Sequence, residues 1–113
     1  MGATSIGLTK RKVMRTFTAA GRKYPKRQEA EETLSNGMTK KVTMVADHVL
    51  VVLADEASVG TIASQGFKVL GRLKTDQPIV LVEAPDGVDA AIAALEGVDG
   101  VLSVGPDYYV KAL

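Results

Sequence analysis

The pattern of apolar and polar residues divides the chain into two parts. Apolar residues are sparse in the first part and follow regular spacings in the second. From Met1 to about Lys41 the apolar residues show no sustained period, and 27–34 consists of good helix formers that end at Ser35-Asn36-Gly37. We therefore expect residues 1–45 to be a largely irregular extension with one short helix. A separate domain is expected over 46–106, followed by an extended tail over 107–113.

The pattern over 46–106 predicts six elements in the order β-α-β-β-α-β. A β-branched and aliphatic run at 48–54 indicates a strand buried on both faces, and helical spacing of apolar residues indicates helices at 57–65 and 86–97. Three further strands are predicted, at 67–74, 79–84 and 101–104. This order predicts an α+β, ferredoxin-like fold, in which an antiparallel four-stranded sheet carries two helices on one face.

Composition argues against an enzyme. The chain has one histidine and no cysteine, so thiolate chemistry and thiolate metal sites are excluded. His48 stands beside Asp47 at the start of an apolar strand, and a structural or solvated role is favoured for it over a catalytic one. We expect no metal, no cofactor and no catalytic residue.

Charge is distributed unevenly along the chain. Residues 1–27 carry eight Lys and Arg and no acid, whereas the remainder carries six cations and thirteen acids. Eight unopposed cations repel one another in a compact state, so this segment is expected to be a solvated tail, with binding of a polyanion as a possible role. No apolar stretch is longer than that from Val49 to Ala54, which is far short of the roughly 20 residues that span a membrane, so no membrane partner is expected.

The last third of the chain carries a family resemblance. Ala84-Pro85, the helix VDAAIAALEGVDG and the closing VLSVGPDYYVKAL resemble the N-terminal propeptide of subtilisin-like serine proteases, in the peptidase inhibitor propeptide family. The resemblance covers about 47–113, and its most specific part is the Val101-x-x-Val104 strand followed by Asp107. It implies an intramolecular chaperone and inhibitor of such a protease, acting in cis or in trans. It also implies secretion with the protease if a signal peptide has been removed upstream, and otherwise a cytoplasmic location.

The resemblance assigns roles in the protease cleft to the last four residues. Leu113 would fill the first specificity pocket beside the catalytic serine, with Ala112 and Lys111 next and Val110 in the hydrophobic pocket four residues before the cut. The residue types suit these places, because apolar Leu113 and Val110 can be buried, small Ala112 clears the catalytic histidine, and Lys111 can point to solvent along an extended chain. The cut itself would then follow Leu113.

The resemblance also concerns two acids that cap helix N-termini of the protease. A carboxylate is favoured there by unpaired backbone amides and by the helix dipole. The second of these positions falls on Asp107, but the first falls on Gly105, which departs from the family pattern. The outer face of the sheet, predicted to include Lys68, Leu70 and Arg72, would pack on the protease.

Two other functions fit the same residues. One is a small-molecule-sensing regulatory domain of similar topology. The other is a nucleic-acid or capsid-associated protein that uses the basic extension. A saturable rise in melting temperature with a ligand would indicate the first, and steep salt dependence of polyanion binding would indicate the second.

Overall fold

A computed structural model of the chain describes residues 7–73 and 75–109. The strands are β1 (Leu8–Thr18), β2 (Lys26–Leu34), β3 (Thr39–Leu53), β4 (Val69–Leu73), β5 (Ile79–Glu83) and β6 (Val101–Tyr108), and the helices are α1 (Ala57–Ser64) and α2 (Val88–Leu95). The strands form one antiparallel sheet in the order β1-β2-β3-β5-β4, and β6 pairs with β3. Contacts divide the chain into a first unit, residues 1–44 and 108–113, and a second unit, residues 45–107.

The predicted fold class is wrong, because the sheet has six strands rather than four. The two additional strands, β1 and β2, lie where the sequence predicted irregular chain and a short helix. Good helix formers build β2 because pairing with neighbouring strands outweighs intrinsic propensity. The pairing is visible in β2 itself, where buried Gln28, Ala30 and Glu32 follow a period of two.

Two turns connect the strands of the first unit. Gly21 has a φ of 75° in the turn between β1 and β2, where the Ala19 N–H donates to the Pro25 carbonyl over 2.7 Å. Gly37 has a φ of 84° in the turn between β2 and β3. Only Gly37 of the Asn36-Gly37 pair has a positive φ, which glycine adopts without steric cost, so the segment predicted to end a helix instead reverses a strand.

The second unit contains the individual elements that the sequence predicted. Strand β3 is longer than expected, since it begins at Thr39, and β6 continues four residues past the predicted end to Tyr108. The core is aliphatic and completely buried on one face of the sheet, with Val49, Val51 and Leu53 from β3 and Val80 and Val82 from β5. The buried apolar side chains of the helices are those of Ile62, Val88, Ala91 and Leu95. Burial of each Val, Leu or Ile side chain of this core contributes about 1.5–3 kcal/mol to folding.

Asp55 and Gly66 mark the two ends of helix α1. The Asp55 carboxylate accepts hydrogen bonds from the Ser58 N–H over 3.0 Å and from the Ser58 hydroxyl over 2.8 Å. This satisfies an amide in the first turn that has no partner within the helix. Gly66 follows the helix with a φ of 90°, as the sequence predicted for the residue that closes it.

Candidate functional site

The sheet of the second unit presents an aliphatic face opposite its buried core. Leu50 lies directly opposite Leu81, and Val52 lies directly opposite Ile79, in the pairing of β3 with β5. Directly opposed residues share one face of a sheet. All four side chains are half-buried, in contrast to the completely buried residues that alternate with them. We call these four residues, together with Leu73 of β4, the Leu50 face. Leu73 pairs with Ile79 and is 48% exposed.

Arg72 does not belong to this face. A register shift between Val69 and Gly71 places Arg72 opposite Val80, which is buried in the core. The guanidinium forms an ion pair with Glu56, the residue before α1. The predicted outer face of Lys68, Leu70 and Arg72 is therefore wrong at Arg72, because a bulge shifts the alternation that the sequence pattern assumed.

Asp107 lies near the end of β6 and is half-buried. Among the described residues, no side chain or backbone group forms a hydrogen bond or ion pair with its carboxylate. Gly105, two residues earlier, has no heavy atom within 4 Å of the place that a Cβ would occupy, and its φ is not positive. An acid at 105 is therefore compatible with the local backbone. The other predicted site residues, Val110, Lys111, Ala112 and Leu113, lie outside the described residues.

The cations of β1 face acids of β2. Cα pairs join Arg11 to Glu32, Lys12 to Glu31 and Arg15 to Glu29 across the hairpin. Two of these pairs are ion pairs, with 2.9 Å between Arg11 Nε and Glu32 Oε2 and 3.2 Å between Arg15 Nη2 and Glu29 Oε2. Acids that follow the basic segment in the sequence thus neutralise part of its charge. The count over residues 1–27 did not include these acids.

Glu32 is the centre of a buried polar cluster that the sequence did not predict. Its side chain is 2% exposed and that of Arg11 is 5% exposed. The same oxygen, Oε2, accepts a second hydrogen bond of 2.6 Å from the Tyr108 hydroxyl. Burial and the hydrogen bond to Glu32 raise the pKa of Tyr108 above its ordinary value. The only sequence signal for this cluster is the alternation of Gln28, Ala30 and Glu32.

Tyr109 is also held by groups of the first unit. Arg27 Cζ lies 4.6 Å from the centroid of the Tyr109 ring, and Arg22 Cζ lies 5.6 Å from it. Both distances are within the range of cation–π attraction. The Tyr109 N–H donates to the Thr43 carbonyl over 2.7 Å, and Arg27 itself is buried and donates to the Tyr24 carbonyl.

His48 is buried and shares the face of Leu50 by alternation along β3. Its Nε2 lies 3.8 Å from Asp47 Oδ1, and its Cα pairs with that of Glu83. In the described part of the chain, no group of three or more His, Asp or Glu side chains could hold a metal ion. The described helices include none long and apolar enough to cross a membrane.

A cavity of about 320 Å³ lies between the end of α1, the end of β5 and α2. Ala90, Ala91 and Ala94 line one side, and Glu83 and Asp86 supply its charged groups. Within the described residues that line it, no Lys, Arg or His is present, so the cavity disfavours an anionic ligand. Its size is at the lower end of the range for small-molecule sites, about 300–1,000 Å³.

Comparisons with known protein families, with curated proteins and with solved structures found no match to this chain.

Proposed function

We propose that this chain is a propeptide-type intramolecular chaperone and inhibitor of a subtilisin-like serine protease, acting in cis or in trans. The observation that carries the proposal is the Leu50 face. Five aliphatic side chains on one side of a sheet are half-buried or exposed, while the other side is a completely buried core. Covering such a face with a partner removes apolar area from water, at about 25 cal/mol per Å².

The occupant of this face is inferred to be a protease of the subtilisin class, because the residues that follow β6 are substrate-like. An extended peptide gains affinity by pairing its backbone with edge strands of a cleft, and its alternating side chains fill pockets. Val110 and Leu113 suit buried pockets, whereas Lys111 suits solvent. Asp107, whose carboxylate has no partner among the described residues, would accept backbone amides at a helix N-terminus of the protease.

The chaperone role follows from the size of the core. The second unit spans 63 residues, from 45 to 107, and a domain of about 60 residues buries only about 60% of the surface of its unfolded chain. Domains of that size have only a small free energy of unfolding. Binding to the folded protease would then stabilise both partners, since a ligand that binds only the native state shifts folding toward that state.

Inhibition of purified proteases tests this proposal. The full chain should inhibit at least one member of a panel of subtilisin-like proteases and leave a chymotrypsin-like protease unaffected, with hydrolysis of a small peptide substrate as the readout. Leu81→Lys, on the Leu50 face, should weaken inhibition, whereas the matched control Ala93→Lys, on exposed helix surface, should not. Circular dichroism should show that both variants remain folded.

Three outcomes would contradict the proposal. The first is inhibition of no subtilisin-like protease by the folded wild-type chain, and the second is equal inhibition by Leu81→Lys and wild type. The third is salt-sensitive binding to single-stranded RNA or polyphosphate without any effect on a protease, which would favour a role for the basic segment.

A further inference from the structure

Charge separates along the same boundary as the two units. Residues 7–44 carry ten Lys and Arg but only three Glu, whereas residues 45–107 carry three Lys and Arg but ten Asp and Glu. Of the three acids in the first unit, Glu32 is buried with Arg11, and Glu29 is paired with Arg15. The described part of the first unit therefore has a large excess of positive charge, which attracts polyanions.

One face of the β1–β2 hairpin presents part of this charge. Alternation along β2 separates residues 27, 29 and 31 from the buried Gln28, Ala30 and Glu32, and directly opposed residues of β1 share their face. We call the side that carries residues 27, 29 and 31 the outer hairpin face. Its opposed pairs are Lys10–Thr33, Lys12–Glu31, Arg15–Glu29 and Phe17–Arg27. Each acid of this face thus lies opposite a cation.

Aromatic rings lie beside the cations of the outer hairpin face. Arg15 Cζ is 4.6 Å from the centroid of the Phe17 ring, and Arg27 Cζ is 4.6 Å from that of the Tyr109 ring. Phe17 is half-buried, and Tyr109 is 39% exposed. Both residues adjoin Arg27, since Phe17 is its partner across the hairpin. Exposed aromatic rings within a positively charged surface are the combination that binds single-stranded nucleic acids.

Three further cations flank these rings in and beside the β1–β2 turn. Arg22, Lys23 and Lys26 are all exposed. Arg22 Cζ is 5.6 Å from the centroid of the Tyr109 ring. None of the three forms an ion pair with a described residue. Their charges are available to phosphates, and each phosphate that they neutralise releases counterions.

We propose that the outer hairpin face binds single-stranded nucleic acid, with bases stacked on Phe17 and Tyr109. Phosphates contact Lys10, Lys12 and the three cations in and beside the turn. A duplex is disfavoured because its bases are stacked on one another and do not reach the rings. An acidic protein segment would match the charge but would not use the rings. The inference does not rest on the proposed function, because these residues belong to the first unit and the Leu50 face belongs to the second.

Fluorescence anisotropy with the full chain tests the role of the rings. The labelled probes are oligo(U) and oligo(dT) of about 12 nucleotides, a length within the usual range of binding-site sizes. Unlabelled polyphosphate is the competitor that has charge without bases. Phe17→Leu should raise the Kd of the oligonucleotides about tenfold, because a base loses its stacking partner, and should leave competition by polyphosphate unchanged. Phe67→Leu, which removes a half-buried ring of the second unit, is the matched control and should change neither.

The role of the cations is tested in the same assay. For wild type, the logarithm of the affinity should fall with the logarithm of the salt concentration by about 0.7 per phosphate contact. Lys10→Gln combined with Lys12→Gln should weaken binding of oligonucleotides and polyphosphate alike and reduce this slope. Lys68→Gln, at an exposed position of the second unit, is the matched control. Circular dichroism identifies the folded variants, and Tyr109→Leu provides a second ring variant if Phe17→Leu unfolds the chain.

Ring-dependent binding of either oligonucleotide would support the proposal, and the tighter of the two would identify RNA or DNA as the ligand. Absence of oligonucleotide binding at about 50 mM salt would overturn it. Equal oligonucleotide affinity of wild type and the folded ring variants would also overturn it, because charge alone would then account for binding. Tighter binding of polyglutamate of the same charge would assign the outer hairpin face to an acidic protein segment instead.

Discussion

Gly100 lies directly against the side chain of Ser58. A Cβ added to Gly100 would be 2.9 Å from Ser58 Cβ and closer still to its hydroxyl oxygen. The backbone of Gly100 also has a φ of 86°, which residues with a side chain rarely adopt. This glycine thus joins the end of the α2–β6 connection to the first turn of α1, where Ser58 is held by Asp55.

Gly100→Ala is expected to destabilise the second unit by at least 1–3 kcal/mol, roughly the cost of a strained backbone conformation, with the Ser58 overlap added. Gly60→Ala is the matched control. Gly60 lies within α1 in open space, so alanine there should stabilise the helix by about 1 kcal/mol. Urea unfolding monitored by circular dichroism measures both changes. A neutral Gly100→Ala would contradict this account of the contact.

Stability should fall at alkaline pH through Tyr108. Its pKa is raised in the folded state, first by burial and then by the hydrogen bond to Glu32, so the native state holds the proton more tightly than the unfolded state. The resulting stabilisation is complete below the unfolded pKa, about 10, and is lost as pH rises through the higher folded pKa. The stability difference between wild type and Tyr108→Phe should therefore shrink from pH 8.5 to 11 in urea unfolding. A stability difference that stays constant over this pH range would contradict the role of Tyr108.

Asp107→Asn should preserve the fold and weaken protease binding. The carboxylate has no partner among the described residues, so little of the chain's own stability depends on its charge. A charge at a helix N-terminus contributes roughly 0.3–2 kcal/mol, which sets the expected loss of binding free energy. Inhibition constants and melting temperatures of the two chains provide the comparison. Loss of folding without any change in inhibition would assign Asp107 a structural role instead.

Gly105→Asp should strengthen inhibition. It places an acid at the first of the two acidic positions of the propeptide family that the sequence resembles, where a Cβ meets nothing within 4 Å. The expected gain is about 0.3–1 kcal/mol, and added salt should reduce it because the interaction is between charges. Gly105→Asn has a similar shape without the charge and is the control. Equal effects of Asp and Asn would show that charge at 105 does not matter.

Deletion of residues 110–113 should weaken inhibition by several kcal/mol. Buried anchor residues at protein interfaces commonly contribute about 2 kcal/mol or more each, and Val110 and Leu113 are proposed as two such anchors. Lys111→Ala, at the position expected to face solvent, should change inhibition little. The measurement is the inhibition constant of each chain. Inhibition that survives the deletion unchanged would remove the tail from the proposed mechanism.

Local signals in the sequence sufficed for the elements of the second unit. A run of β-branched and aliphatic residues such as Val49–Leu53 predicts a strand from neighbouring positions alone. Gly66 has the positive φ expected of the residue that closes α1. The face that carries Arg72 was predicted incorrectly because a bulge in β4 changes the alternation. No composition rule places such a bulge.

The first unit was not predicted because its stabilising pairs are distant in sequence. Arg11 and Glu32 are 21 residues apart, and Glu32 and Tyr108 are 76 residues apart. Read locally, β1 is a run of cations and β2 a run of helix formers, so neither shows the apolar alternation of a half-buried strand. The strand character appears only when opposite charges are placed across the hairpin.

The hydrogen bond between Glu32 and Tyr108 also imposes an order of events during synthesis. A chain that grows at about 5–20 residues per second makes Glu32 roughly 4–15 s before it makes Tyr108. During that interval Arg11 is present as a donor to the Glu32 carboxylate, but the phenol is not. The second donor to Glu32 is therefore synthesised only after β1 to β5, α1 and α2.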